Sequence, residues 1–266
     1  FEGYNKYSIK RILAYLLEKR TCSWSTKICS LTQRNSKKNI FYRLVKNENK
    51  IGVVSSGGIP GVDDTVFYRL DDKIELRRNH GFNDDDFIIS CMGRITADKG
   101  YDTIIAAFSN LPIKNKKLII IGDFDGTDPV SKNTAKIIKN DGNIFVTSFV
   151  SQRQANEYLN MSDVFVHMSR REGFGQSVVE AMSSGLPVIV ANVDGPAEVV
   201  DDEINGFVIG VDDCTSLIDK INFLYSNPQK VLEYGENGIK KVKQQFSRKR
   251  VVSEICSNLI NMSTRK

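Results

Sequence analysis

The chain has 266 residues, enough for one large domain or two small ones, and its 41% hydrophobic and 26% charged residues are ordinary for a soluble globular protein. No apolar run approaches the roughly 18 residues that a membrane-spanning helix needs, and no signal peptide is evident. The five cysteines are odd in number and form no Cys-x-x-Cys pair, a pattern typical of reduced thiols in a cytoplasmic protein. A disulfide framework and a zinc site are therefore not expected.

The net charge of +5 is concentrated at the N-terminal end. Residues 1–50 contain 12 Lys and Arg against 3 Asp and Glu, so this segment carries +9 and the remainder −4. Such a segment could contact anionic lipid headgroups at the inner face of the plasma membrane, a phosphorylated acceptor or nucleic acid. A solvated surface explains the charge equally well, and nucleic acid has the least support because no recognition motif accompanies the charge.

The first predicted element is an amphipathic helix over residues 7–20. Its apolar face carries Ile9, Ile12, Leu13, Leu16 and Leu17. This face requires a partner, either another part of the protein or a membrane interface. A short strand over 26–31, a helix over 37–46 and a strand over 50–54 follow. The glycine-rich residues 55–63 then predict a loop or hinge.

From residue 87 onwards, short apolar runs alternate with helical patterns. The predicted strands cover residues 87–92, 117–121, 143–149, 163–168, 187–191 and 206–209. The predicted helices cover residues 101–110, 131–139, 151–160, 176–184 and 215–225, with two more at 229–245 and 248–262. This alternation predicts an α/β fold, a doubly wound parallel sheet with helices on both faces. Ligands of such sheets bind beyond the carboxyl ends of the strands.

The most informative stretch is Arg-Glu-Gly-Phe-Gly-Gln-Ser-Val-Val-Glu-Ala-Met at residues 171–182, where a predicted strand gives way to a predicted helix. It holds two acids eight residues apart, Glu172 and Glu180. Gly173 and Gly175 let backbone N–H groups approach a ligand, and the start of the helix favours an anion. Glu172 on the turn and Glu180 roughly one to two turns into the helix could contact different parts of one elongated ligand. A nucleotide sugar, with phosphate between two hydroxyl-rich ends, has that layout.

A second candidate site is Gly-Arg-Ile-Thr-Ala-Asp-Lys-Gly at residues 93–100, between a predicted strand and a predicted helix. Arg94 offers a planar fork and Lys99 a point charge, and both could converge on one diphosphate. Two cations there would also stabilise a departing nucleoside diphosphate without a metal ion. Taken alone, however, the segment is better explained as an exposed basic loop.

Three other strand ends carry polar residues. Residues 121–126 resemble a phosphate loop but lack the Lys and Ser/Thr of a Walker motif, so contact with a base or ribose is the better interpretation. The carboxylates near this loop are Asp123, Asp125 and Asp128. Their spacing lacks the closing Glu of an EF-hand, so no metal site is expected. His167 is interpreted as a packed strand-end histidine, with ligand contact as the alternative, and residues 194–198 as a helix cap.

Taken together, these motifs resemble the C-terminal half of a retaining glycosyltransferase of the GT-B fold, family 4 (the group 1 transferases). The residues that carry the resemblance are, in chain order, Gly93, Arg94, Lys99, Gly100, Glu172, Gly173, Phe174, Gly175, Glu180, Ala181, Met182, Gly185, Leu186, Pro187, Val188, Ile189, Gly195 and Glu198. The resemblance covers about residues 50–265 and implies a Rossmann-like domain. Met168 stands where the family often has Pro, and Ser148 where it often has Gly, but neither change removes a ligand side chain.

The resemblance implies a role for each matching residue. In that family, the residues that match Arg94 and Lys99 bind the donor diphosphate, the one that matches Glu172 contacts sugar hydroxyls, and the one that matches Glu180 holds the ribose. Catalytic roles are implied for Arg94, Lys99 and Glu172. The implied donor-binding residues are Gly93, Arg94, Lys99, Glu172, Gly173, Phe174, Gly175, Ser177, Val178 and Glu180. No metal or other cofactor is implied, and a UDP-sugar is the expected donor.

The resemblance also predicts the domain organisation. Residues 1–50 would be the end of an otherwise absent acceptor-binding domain, residues 51–245 the donor-binding domain, and residues 246–266 a helix that crosses back towards the first domain. The segment 57–63 is similar to the family's hinge between its domains.

The implied reaction is hexosyl transfer, with retention of configuration, from a nucleotide sugar to a glycan or lipid-linked acceptor in bacterial capsule or O-antigen synthesis. Efficient transfer is not expected from this half alone. The alternative from a different class is a non-catalytic nucleotide-sugar-binding module or a truncated partner subunit. A GT-B epimerase or phosphorylase has less support, because it would need catalytic acids or a cofactor-anchoring lysine that the sequence does not place.

Overall fold

The computed structural model describes residues 7–53, 57 and 60–263, with side chains up to Ser257. Its centre is a sheet of six parallel strands in the order β5-β4-β3-β6-β7-β8. These strands are β3 (Phe87–Met92), β4 (Lys116–Ile121), β5 (Ile144–Val146), β6 (Val164–His167), β7 (Val188–Ala191) and β8 (Gly206–Ile209). A separate parallel pair joins β1 (Ile28–Ser30) to β2 (Ile51–Val53).

Helices connect the strands and cover both faces of the large sheet. The helices that precede it are α1 (Ile9–Trp24), α2 (Gln33–Phe41) and α3 (Lys73–Asn79). Those between and after its strands are α4 (Tyr101–Asn110), α5 (Lys132–Asn140), α6 (Gln152–Met161), α7 (Gln176–Ser183), α8 (Pro196–Val199), α9 (Cys214–Ser226), α10 (Pro228–Gln245) and α11 (Arg248–Ser263). Short 3-10 turns cover Glu48–Lys50 and Ala97–Lys99.

Alternate side chains of each strand enter two different cores. Ile88 packs with residues of α6 and α7 on one face, whereas Ile89 packs with residues of α4 and α9 on the other. Because β3 and β4 are covered on both faces, their sequences are continuous apolar runs rather than alternating patterns. The expected doubly wound α/β fold with helices on both faces is confirmed.

The strand predictions for the large sheet and most helix predictions agree with the structure. The exceptions are α2, which was predicted at other bounds, and α3, which was not predicted. The predicted helix at 37–46 instead covers Gln33–Phe41, because the Thr32 hydroxyl accepts from Asn35 N–H and starts the helix earlier. α3 was not predicted, since this short polar segment has no apolar stripe; Asp72 caps its start. The hinge predicted at 55–63 lies partly outside the described residues.

The two-stranded sheet spans residue 51, where the sequence predicts the boundary between the acceptor-binding and donor-binding domains. That boundary assigns β2 to the donor-binding domain, whereas the hydrogen bonds of β2 join it to β1. A small core of Leu44, Val45 and Ile51 accompanies this pair. The boundary between the two predicted domains stays a prediction.

The predicted apolar face of α1 is exposed to solvent. Its five aliphatic side chains are between 52% and 75% exposed. That another part of the protein or a membrane interface covers this face therefore stays a prediction. Within the described residues, no helix is both long enough and apolar enough to cross a membrane.

Asp163 ties α3 to the centre of the sheet just before β6. Its Oδ2 accepts from the backbone N–H of Ile88 and from Arg77 Nη2, each at 2.7 Å. Its Oδ1 lies 2.7 Å from Lys73 Nζ. Arg77 is 5% exposed and also donates to the carbonyl of Met161 at 2.9 Å. The carboxylate therefore neutralises a buried guanidinium that has little access to water.

We predict that D163A destabilises the fold by about 3 kcal/mol, because it leaves the Arg77 charge buried and unpaired. Urea unfolding followed by circular dichroism measures the loss. The matched control is D84A, which removes the acid of an exposed pair with Arg78 and should change stability little. Equal effects of the two substitutions would contradict this role of Asp163.

Candidate functional site

The candidate site lies at the carboxyl edge of the six-stranded sheet. β3 and β6 are neighbours there, and the strand order reverses between them. The loop 93–100 leaves β3 and the turn 168–175 leaves β6, so the two predicted motifs meet at this switch point. The backbone N–H of Arg170 donates to the carbonyl of Asp98 at 2.8 Å and joins them directly.

The start of α7 is open to an anion. Gly175 precedes this helix with a φ of 91°, a left-handed conformation that favours glycine, and no side chain caps the helix. The N–H groups of the first two helical residues, Gln176 and Ser177, have no intrahelical acceptor. The N–H of Val178, one of the predicted donor-binding residues, already donates to the carbonyl of Gly175 at 2.9 Å.

Lys99 and Glu172 form an ion pair across the switch point. Lys99 Nζ donates to Glu172 Oε2 at 2.7 Å, and both side chains are 22% exposed. Burial alone would raise the pKa of Glu172, but the neighbouring His167 and Lys99 outweigh it and lower the pKa to about 2. Glu172 is therefore ionised at neutral pH and acts as a hydrogen-bond acceptor, not as a proton donor.

Glu180 lies in the second turn of α7 and lines a different cleft. This space of about 280 Å³, the Glu180 cleft, is also bordered by Gly93, Arg94, Asp123 and Phe149. Burial raises the pKa of Glu180 to about 7, against the opposing effects of the Gln176 hydrogen bond and the Arg248 charge. The cleft thus combines an apolar wall with one carboxyl group that ionises near neutral pH.

Gln176 connects Glu180 to the segment that precedes the six-stranded sheet. Its Nε2 lies 3.2 Å from Glu180 Oε1 and 3.2 Å from the carbonyl oxygen of Gly61. Close by, Arg248 at the start of α11 pairs with Asp63 at 2.6 Å. The carboxylate of Glu180 is therefore oriented by a side chain that also contacts the predicted hinge region.

Arg94 and Lys99 make different contacts. Arg94 Nη1 pairs with Asp125 Oδ2 at 2.6 Å at the border of the Glu180 cleft, and its side chain is 54% exposed. Lys99 instead pairs with Glu172 on the neighbouring turn. Their predicted convergence on one diphosphate stays a prediction, and it requires Arg94 to share or release Asp125.

α2 packs against the turns after β6 and β7. The carboxylate of Glu198 accepts from the backbone N–H groups of Gln33 at 2.9 Å and Arg34 at 2.5 Å, at the start of α2. Asn35 Nδ2 donates to the carbonyl of Gly173 at 3.1 Å, and Lys38 pairs with Asp194. Glu198 was predicted to belong to a segment, residues 194–198, that caps the helix it opens. Glu198 lies in that helix, α8, but its carboxylate caps the start of the distant α2.

A second cleft of about 430 Å³, the Glu172 cleft, lies between α2 and the turn after β6. Its walls include Asn35 and Lys38 from α2 and Arg171, Glu172 and Gly173 from the turn. Residues from the predicted end of the first domain thus border the same turn that holds Glu172.

The structure divides the predicted site residues into three groups. Gly93, Arg94 and Glu180 line the Glu180 cleft, while Glu172 and Gly173 line the Glu172 cleft with Lys99 paired to Glu172. The remaining predicted residues are Phe174, Gly175, Ser177 and Val178. Phe174 and Val178 are 6% and 0% exposed, so their side chains belong to the core. Ser177 Oγ lies 3.4 Å from Nδ1 of His167. The binding roles themselves stay predictions.

Several residues of the site were not predicted. Phe149 is 85% exposed at the border of the Glu180 cleft, directly after Ser148, which has a φ of 57°. Because the predicted strand 143–149 included Phe149, nothing in the sequence indicated that its ring lies exposed beyond the end of β5. Gln176, Asn35 and Lys38 act through contacts between distant segments, for which the sequence gives no signal.

No group of three or more His, Cys, Asp or Glu side chains that could hold a metal ion occurs within residues 7–53, 57 and 60–263. The expectation that the reaction needs no metal stays a prediction.

We predict that the buried Glu180 makes the fold less stable as the pH rises. Its folded pKa of about 7 exceeds the ordinary 4.5, so the folded state holds the proton more tightly and stability falls between those two pH values. E180Q should remove this fall, a difference of about 2 kcal/mol between pH 5 and pH 8 in urea unfolding. E233Q, which removes an exposed acid, is the control. Identical pH dependence in the wild type and E180Q would refute the assignment.

Comparisons with known proteins agree with this geometry. The model of the family described as glycosyl transferases group 1 matches residues 72–241. The capsular polysaccharide biosynthesis glycosyltransferase CapM of Staphylococcus aureus is 30% identical over 248 residues, which cover 92% of this chain and 64% of CapM. The N-acetyl-alpha-D-glucosaminyl L-malate synthase of Bacillus anthracis is 26% identical, over 81% of this chain and 55% of that enzyme. The chain therefore spans about two-thirds or less of the length of these relatives.

Solved structures show the same fold. Alr3699/HepE of Anabaena, in complex with UDP, superposes with a TM-score of 0.81 at 22% identity, over 94% of this chain and 67% of that one. Sucrose-phosphate synthase of Thermosynechococcus elongatus gives a TM-score of 0.84 at 19% identity, over 99% of this chain and 66% of that one. The chain belongs to the group 1 glycosyltransferases, and its six-stranded sheet is a Rossmann-like domain of the GT-B fold.

Proposed function

We propose that this chain binds a nucleotide sugar and supplies the donor half of a retaining, family 4 glycosyltransferase. The observation that carries the proposal is the placement of the two acids. Glu172 and Glu180 stand on either side of the open start of α7, one paired with Lys99 and the other in the Glu180 cleft. An anion at the helix start would lie between the two carboxyl groups, as the diphosphate of a nucleotide sugar lies between its ribose and its sugar.

The Glu180 cleft is the proposed nucleoside site. Its volume of about 280 Å³ and apolar wall fit a base, and Phe149 offers an exposed ring for stacking. Glu180 can accept hydrogen bonds from the two ribose hydroxyls once it is ionised. Structures of Alr3699/HepE contain UDP or UDP-glucose, which supports a uridine nucleotide as the first donor to test.

The diphosphate would lie at the start of α7, beside the two cations. The free N–H groups of Gln176 and Ser177 and the ammonium of Lys99 would stabilise the negative charge that develops as the nucleoside diphosphate departs. Arg94 would add a second cation after giving up part of its contact with Asp125. This arrangement needs no metal ion for charge neutralisation.

The two carboxylates bind substrate in this proposal and do not work as a hydrolase acid/base pair. Glu172 has a pKa of about 2, so it holds no proton to donate to a leaving group. It is suited to accept hydrogen bonds from the hydroxyls of the donor sugar. Retention of configuration is inferred from the family resemblance.

The acceptor proposed is a glycan or a lipid-linked glycan of a bacterial surface polysaccharide. CapM, which is 30% identical, is named for capsular polysaccharide biosynthesis, and LpsB of Rhizobium meliloti, which is 25% identical, for lipopolysaccharide core biosynthesis. The Glu172 cleft, which is bordered by α2, is where an acceptor could approach the donor sugar. Contact of the basic N-terminal segment with an anionic membrane is part of the same proposal.

A non-catalytic nucleotide-sugar-binding module or a partner subunit is the second candidate. An assay that adds a separately produced acceptor domain distinguishes the two: restored sugar transfer supports the enzyme, and binding without transfer supports the module.

We predict that UDP or another nucleoside diphosphate raises the melting temperature of the chain and that R94A abolishes the shift. A ligand at about 100 times its Kd should add roughly 5–10 °C. A thermal-shift panel of UDP, GDP and ADP identifies the base. R78A is the matched control, since Arg78 is also an exposed arginine paired with an aspartate but does not line the cleft. Absence of any shift in the wild type, or an equal shift in R94A, would contradict the proposed site.

A further inference from the structure

The most unusual side chain near the proposed site is His167, the last residue of β6. It is 5% exposed, and its Nε2 is buried without a hydrogen-bond partner among the described residues. A buried polar atom without a partner costs free energy, so it requires an explanation. Packing at the strand end, the first expectation for His167, does not account for the unpaired nitrogen.

Ser177 contacts Nδ1 of His167, the ring nitrogen other than the unpaired Nε2. Ser177 Oγ lies 3.4 Å from Nδ1 of His167, and no other hydrogen bond to either ring nitrogen occurs in the part of the chain that the structure describes. If the hydroxyl donates to Nδ1, the proton of the neutral ring is on Nε2. The hydroxyl is at the start of α7, so the ring is held between that helix and the end of β6.

Nε2 of His167 faces the carboxylate that is proposed to hold the donor sugar. It lies 3.6 Å from Glu172 Oε2, just beyond a hydrogen bond. The same oxygen already accepts from Lys99 Nζ at 2.7 Å, while Oε1 accepts from the backbone N–H of Gly173 at 3.2 Å. Lys99 and His167 are therefore two donors aimed at one oxygen, of which only Lys99 is within hydrogen-bond distance.

We propose that His167 is the positioning residue for Glu172 in the donor-bound state. This inference rests on the proposed function, in which Lys99 stabilises the diphosphate, and adds that Lys99 turns away from Glu172 to do so. When Lys99 does so, Oε2 of Glu172 loses its closest donor. A shift of less than 1 Å brings it within reach of Nε2–H of His167. His167 then keeps the carboxylate in place and ionised for the sugar hydroxyls, and the buried nitrogen gains its partner.

Two amide substitutions separate this role from simple packing. In H167Q the side-chain amide reaches the position of Nε2, whereas in H167N it reaches only the position of Nδ1. Both are neutral polar groups with similar burial costs. H80Q is the control for histidine loss, because His80 is the other of the two histidines and caps the end of α3, where its side chain lies beside Glu157.

Calorimetric titration with UDP and with UDP-glucose provides the measurement. We expect H167N to bind UDP-glucose roughly tenfold more weakly than the wild type while UDP binding changes less than about twofold, and H167Q to restore most of the loss. Equal binding of UDP-glucose by H167N and the wild type would overturn the role of His167. An equal loss of UDP and UDP-glucose binding would also overturn it. A wild type that binds neither compound would instead refute the proposed function.

Nitrogen NMR of the wild-type chain tests the same inference without a substitution. With only two histidines, the signals are readily assigned through H80Q. We expect His167 to carry its proton on Nε2, and we expect the Nε2–H signal to move when UDP-glucose, but not UDP, is added. A proton on Nδ1 in both states would overturn the inference.

Discussion

The ion pair between Lys99 and Glu172 bridges the point at which the strand order of the sheet reverses. Parallel strands bring all their carboxyl ends to one edge, and the reversal between β3 and β6 opens a crevice there. The contact measures 2.7 Å, and His167 and Lys99 together outweigh the burial of Glu172 and keep it ionised, with a pKa of about 2. The pair joins the turn after β6 to the loop after β3, as does the backbone hydrogen bond from Arg170 to Asp98.

The two acids, eight residues apart, have opposite environments although they belong to one turn and helix. Glu172 lies beside Lys99 and His167, whose effects outweigh its burial, whereas burial dominates for Glu180 and raises its pKa to about 7. The difference suits two tasks in the proposed function. Glu172 is proposed to accept hydrogen bonds from sugar hydroxyls, so it must be ionised before the nucleotide sugar binds. Glu180 lies in an apolar cleft, and its anion is stabilised when the ribose hydroxyls donate hydrogen bonds to it in place of water.

The sequence predicted those features that depend on neighbouring residues. Continuous apolar runs located the six strands, and the spacing of Glu172 and Glu180 located the switch-point turn. Features that depend on distant residues were missed, such as the cap that Glu198 provides for α2 and the contact of Arg94 with Asp125. The ring of His167 has no signal in sequence, because its importance follows only from a 3.6 Å approach to Glu172.

The central claim is that each acid contacts a different part of one nucleotide sugar. Calorimetry of E172A and E180A with UDP and UDP-glucose tests it most directly. We expect E180A to weaken the binding of both ligands equally, by about 1–3 kcal/mol, because both contain the ribose. We expect E172A to weaken the binding of UDP-glucose by a similar amount and to leave that of UDP nearly unchanged. Loss of UDP binding in E172A, or unchanged binding of both ligands in E180A, would contradict the account.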